Sequence, residues 1–137
     1  MRQSSELEQL VRDWFVAASS GDKTIVERHV SADAQVRLVG SDPTEWLQGG
    51  RDVAEFLAGE VDGAAGNVRF APSETEAFEE GTVGWAATKL TITLPDGKRV
   101  SPRWTSVFHQ EDGVWKFVQI HASIAVPNSE IGWQYAP

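Results

Sequence analysis

The stretch GTVGWAATKLTITLPDGKRVSPRWTSVFHQEDGVWKFVQIHASIAV (Gly81–Val126) decides the fold. Apolar residues alternate with polar ones along it, the period of a strand with one buried face. PDGK and EDG interrupt the alternation with hairpin-turn residues, and EEG precedes it in the same way. The reading gives strands over Val68–Glu79, Thr82–Leu94, Val100–Gln110 and Val114–Val126. Four strands in tight sequential hairpins make an antiparallel meander. No repeat, linker or low-complexity tract breaks the chain, so residues 1–137 are expected to form one domain.

The two faces of this sheet differ. One carries Ala86, Thr88, Leu90, Ile92 and Leu94, then Val100, Trp104 and Phe108, then Val118, Ile120, Ala122 and Ile124. The other carries Trp85, Lys89, Thr91 and Thr93, then Arg103, Thr105 and His109, then Trp115, Phe117, Gln119, His121 and Ser123. One layer of helices covers only one face, and the smoother apolar set is expected beneath it. The second face is too aromatic to be left in water, which predicts a homodimer through that face. A bulge in any long strand exchanges the faces beyond it.

Outward toward the N-terminus the period changes. Leu7, Leu10, Val11, Trp14, Phe15 and Ala18 form a helical stripe, with Ser5 and Glu8 as a capping box and Gly21 as the stop. Asp22 caps a second, shorter helix through about Val30. Gln35–Val39 is a short strand that runs into the loop GSDPTEWLQGG (Gly40–Gly50). A third helix covers Arg51 to about Val61, with Val53, Phe56, Leu57 and Val61 inward, and GAAGN ends it. The tail NSEIGWQYAP packs through Trp133 or frays. The fold class is therefore α+β, with N-terminal helices packed on an antiparallel sheet.

Composition narrows the function classes. Cysteine is absent, so thiol catalysis, disulfides and cysteine metal sites are excluded. Lys+Arg number 12 against 20 Asp+Glu, a net charge of -8, which repels phosphate backbones and anionic lipid. No nucleic acid and no membrane are expected as partners. The start MRQSSELEQLVRDW lacks the apolar region of a signal peptide, and a cytoplasmic protein is expected. There is no H-x-x-H, G-x-S-x-G, P-loop or G-x-G-x-x-G. No metal and no cofactor are therefore expected. Six tryptophans in 137 residues point to an aromatic-lined cavity or interface.

The order helix, helix, strand, helix, meander resembles the SnoaL-like branch of the nuclear transport factor 2-like superfamily, which implies a cone-shaped α+β barrel with the N-terminal helices packed on a curved antiparallel sheet. GSDPTEWLQG (Gly40–Gly49), GTVGWA (Gly81–Ala86), RWTSVF (Arg103–Phe108) and DGVWKFVQIHAS (Asp112–Ser123), followed by AVPNSE, carry the resemblance. Trp115, Val118, His121 and Ser123 are also similar to the last strand of the association domain of calcium/calmodulin-dependent protein kinase II. The resemblance implies a pocket between the concave sheet face and the helices, and dimers through the outer face. It implies that the cavity receives Trp14, Trp46, and Trp104 with Ser106. The superfamily includes isomerases, polyketide cyclases, epoxide hydrolases, dehydratases and domains without a known reaction. The Tyr and Asp pair of ketosteroid isomerases is missing, since the sole tyrosine is Tyr135 and VWKFVQIHASIAV has no carboxylate. The Asp–Arg–Asp set of epoxide hydrolases is not visible around Arg103, and the kinase domain's pocket arginine is Ala122 here.

Five residues are expected to bind ligand: Trp14, Trp46, Trp104, Arg103 and His121. His121 is a candidate general base or hydrogen-bond donor, or else a structural histidine held across a dimer or to a backbone carbonyl. Arg103 can clamp a substrate carboxylate or pair with a carboxylate of the protein itself. Asp42 and Glu45 are candidate acids or bases beside the indole of Trp46, or else turn and capping residues. Trp46 is a lid, a wall or core. His29 and His109 are expected at the surface. Three functions follow in order: binding of a small apolar or carboxylate-bearing molecule, an enzyme of the cyclase, isomerase or hydrolase type, and a dimeric assembly domain.

Overall fold

The computed structural model describes residues 1–133. A two-residue strand β1 (Arg2–Gln3) leads into helix α1 (Ser5–Ser20) and helix α2 (Thr24–His29). Strands β2 (Arg37–Val39) and β3 (Trp46–Gln48) follow, then helix α3 (Gly50–Ala64). The meander comprises β4 (Arg69–Glu80), β5 (Val83–Thr93), β6 (Arg99–Val100), β7 (Arg103–Glu111) and β8 (Val114–Ser123), with a 3₁₀ turn at Asn128–Ile131. The sheet runs β1-β4-β5-β7-β8-β2-β3, with β6 alongside β5. All neighbours are antiparallel except β2 and β8. The three helices pack on one face of this mostly antiparallel sheet. The expected α+β arrangement is the one observed, and β1 and β3 end the sheet unpaired with each other, so hydrogen bonds do not close it into a barrel.

Local chemistry explains where the boundaries moved. The cap of α1 is Ser4 rather than Ser5. Its hydroxyl accepts from the Leu7 amide at 3.2 Å and donates to Glu79 Oε2 at 2.7 Å, tying the helix start to β4. Asp22 accepts from the Thr24 amide at 3.0 Å, so α2 begins at Thr24. The loop before α3 is partly strand, because Leu47 pairs with Leu38. Pro102 divides the expected Val100–Gln110 strand into β6 and β7. It has no N–H for the ladder, while its carbonyl still accepts from the Leu90 amide at 3.2 Å. The tail is a turn followed by an exposed Trp133, and its last residues lie outside the described ones.

A bulge corrects the face assignment of β8. Val107 opposes Gln119 but Phe108 opposes Phe117, which leaves Val118 as the extra residue. Trp115 and Phe117 therefore share the inner face with Ile120 and Ala122, instead of lying opposite them. Phe117 is only 1% exposed. Its ring centroid lies 4.8 Å from that of Trp14, 5.6 Å from Trp104 and 4.5 Å from Phe108. These edge and tilted contacts form the centre of the core.

The start of α3 is fixed by close backbone approach. The Gly49 amide donates to Val36 O at 2.8 Å and the Gly50 amide to Asp33 O at 2.9 Å. A Cβ on Gly50 would stand 2.1 Å from Ser31 O, so only glycine lets the helix seat there. This seating lays Phe56 and Leu57 across the end of the sheet.

Candidate functional site

A hollow of about 170 Å³ remains between α1, α3 and the inner sheet face. Buried Trp14, Leu38, Leu90, Trp104 and Ile120 form its floor. Phe15, Phe56, Leu57, Val61 and Phe70 form its sides. Trp14 and Trp104 sit there because the α1 stripe and the β7 alternation both point inward, and their centroids are 6.5 Å apart. The rim is Gly40, Ser41 and Glu45 from the β2–β3 connection and Glu60 from α3.

The rim carboxylates are held differently. Glu45 Oε1 accepts from the Asp42 amide at 2.9 Å, and its carbonyl accepts from the Gly40 amide at 2.8 Å. Its side chain lies so close over Gly40 that a Cβ there would stand 2.6 Å from Glu45 Cβ. Glu60 has no hydrogen bond or ion pair among the described residues. Partial burial of its carboxyl raises its pKa above the ordinary carboxylate range, and the negative charge of Glu45 adds to the rise. No lysine, arginine or histidine is among the residues that line the hollow.

Of the sequence-derived candidates, Trp14, Trp104 and Glu45 come together at the hollow, and the others do not. His121 and Arg103 lie on the outer sheet face, both exposed. His121 stands opposite Thr105 and beside Val39, while Arg103 Nη2 donates to Ser123 Oγ at 3.4 Å. The strand alternation that sends Trp104 inward sends Arg103 outward. Trp46 is 65% exposed, with the Arg37 guanidinium 5.1 Å from its ring centroid, and does not line the hollow. Asp42 is exposed and committed to its turn. Its carboxylate accepts from the Thr44 hydroxyl and from the Thr44 amide at 2.9 Å, and these bonds lower its pKa. Ser106 is buried without a partner for its hydroxyl, away from the hollow's lining. His29, expected at the surface, is half-buried with Nδ1 2.9 Å from Trp115 O. Among the described residues no cluster of three His, Cys, Asp or Glu side chains could hold a metal ion. No helix there is long and apolar enough to cross a membrane.

Glu60 is the residue that sequence reasoning missed. Val53, Phe56, Leu57, Val61 and Ala64 define the inward stripe of α3, and Glu60 stands at its solvent-exposed edge, where it reaches the rim of the hollow.

A family profile described as a SnoaL-like domain matches residues 7–127. No match was found among curated proteins. Among solved structures, an NTF2-like protein of unknown function from Pseudomonas putida KT2440 superposes with a TM-score of 0.77 at 16% identity, over 97% of this chain and 92% of that one. A candidate dehydratase of the NTF2-like family from Streptomyces avermitilis gives 0.74 at 18% identity, over 89% and 95%. The association domain of C. elegans CaMKII gives 0.68 at 16% identity, over 86% and 92%. At these identities the likeness establishes the fold alone.

Proposed function

The chain belongs to the SnoaL-like domain family, and on that premise we propose that it is a binding protein whose hollow takes up one small, mostly apolar organic molecule. One observation carries this reading: a half-open hollow of about 170 Å³ lies beside Trp14 and Trp104 and is lined almost wholly by apolar and aromatic side chains. An engineered apolar cavity of about 150 Å³ holds a benzene ring, so the size fits a one- or two-ring compound. The test is a panel of ring compounds read by melting temperature and tryptophan fluorescence. A ligand at a hundred times its Kd stabilises by about 2.7 kcal/mol. Silence across the panel overturns the reading.

A second reading, an enzyme of the isomerase, cyclase or hydrolase type, is favoured by the shift of Glu60 toward its protonated form beside Glu45. A carboxyl so biased can give a proton to a carbonyl oxygen while a neighbouring carboxylate receives one. His121 and Arg103 take no part in it, being on the opposite face. Its test is deuterium exchange next to the carbonyl of ring ketones in D2O. Exchange that Glu60→Gln abolishes supports it, and a buffer-level rate excludes it.

The outer sheet face is the proposed contact for a second copy of the chain. Phe78 and Trp85 stack there at 6.3 Å, half-exposed, beside Val107. Sedimentation at micromolar concentration checks this, and a monomer overturns it.

A further inference from the structure

We propose that the ligand of the hollow is an organic cation: an apolar ring or chain seated on Trp14 and Trp104, with a protonated amine between Glu45 and Glu60 at the rim. The proposal rests on the reading of the hollow as a binding site and adds the charge of what binds there.

The charges of the lining carry the argument. Among the described residues, its only ionisable side chains are Glu45 and Glu60. The arginine expected to clamp a carboxylate, Arg103, is on the other side of the sheet, and the cation nearest Trp46 is Arg37, outside the lining. An anionic ligand would therefore meet two like charges and no counter-charge at the rim.

The arrangement is also built. The Asp42 amide fixes one oxygen of Glu45, and Gly40 leaves room for the side chain to lie flat against the loop. A Cβ at position 40 would displace it. Glu60, solvent-exposed at the rim, has no hydrogen bond or ion pair among the described residues. The charge of Glu45 disfavours the ionised form of Glu60 in the empty protein, and a cation held between the two relieves that repulsion. An ammonium has three donors and can serve both carboxylates at once. The aromatic floor suits the same ligand, since ring faces attract a cation as well as its apolar body. The net charge of -8 favours the approach of a cation from solution.

The experiment uses three compounds with one ring system: naphthylmethylamine, naphthylmethanol and naphthoic acid. Each is titrated by calorimetry into the wild-type chain, Glu60→Gln and Glu45→Gln at neutral pH. The amine is expected to bind about tenfold more tightly than the alcohol, as one charge-assisted contact contributes. The acid is expected to bind more weakly than the alcohol. Each glutamine variant should lose most of the amine's advantage over the alcohol while its melting transition stays cooperative, which separates lost charge from lost fold. Raising the salt concentration should narrow the gap between amine and alcohol. If the alcohol binds as tightly as the amine, or the acid binds best, the cation proposal falls while the hollow stands as a binding site. If none of the three binds, both fall.

Discussion

The two faces of one sheet divide the chemistry of this chain between them. The inner face, under the helices, holds Trp104, Phe108, Phe117 and Ile120, each nearly sealed from solvent. The outer face, made by the same strands, holds Arg103, Thr105, His109 and His121, all exposed. Every histidine and arginine of β7 and β8 is excluded from the hollow, and the two acidic side chains at the hollow come from α3 and the β2–β3 connection. The lesson is that a site in this fold is written mainly by what surrounds the sheet. The strands supply an apolar floor, because alternation beneath a helical layer admits little else. The connections and one off-pattern helix position supply charge.

The largest test of this division is a pair of truncations. Phe117→Ala, which removes a ring in contact with three others, should cost about 3–5 kcal/mol. Trp85→Ala, on the outer face and stacked only on Phe78, should cost about 1 kcal/mol. Urea denaturation measures both. Equal costs would mean that the faces are not distinct. A Trp85→Ala cost that grows with protein concentration would instead report a second copy covering that face.

The next comparison lies within α3. Gly50→Ala places a Cβ against the backbone of Ser31 and Ala32 and should cost ~3 kcal/mol, near the upper end for overpacking. Gly59→Ala, on the exposed side with nothing within 4 Å, should stabilise by about 0.5–1 kcal/mol through helix propensity. The same substitution in the same helix thus has opposite signs. A Gly50→Ala variant as stable as wild type would show that α3 is not seated through Gly50.

Much of this fold was legible in the sequence. The α1 stripe, the three hairpins and the inner set of β5 needed only periodicity and turn residues. Two features were not legible. The Val118 bulge moved Trp115 and Phe117 to the inner face, because pairing register depends on the partner strand and not on the bulged strand's own pattern. The parallel pairing of β2 with β8 depends on where α2 delivers the chain: Val30 already bridges to Phe117 before β2 begins. The site was less legible than the fold. Trp14, Trp104 and Glu45 line the hollow, while His121 and Arg103 lie on the outer face. Strand parity, already in hand for β7, placed Arg103 on the face away from Trp104. Glu60 was passed over because it is a solvent-exposed acidic residue on a helix, and only the fold brings it to the rim of the hollow.

The smallest effect sharpens the acidic half of the comparison. Glu60 has its folded-state pKa raised, first by burial and then by Glu45. In the carboxylate range the folded chain therefore holds this proton more readily than the unfolded chain does. The contribution of Glu60 to stability then falls as pH rises through that range, the reverse of a salt-bridged carboxylate. Glu60→Gln removes the ionisation. In the absence of ligand it should melt slightly higher than wild type at pH 7, and the difference should shrink toward zero as pH falls below the carboxylate range. Calorimetric melting curves across that interval read the sign directly. A variant that melts lower at pH 7, with the gap widening as pH rises, would mean that Glu60 already has a stabilising cationic partner. The rim would then have no unmet negative charge to offer a ligand.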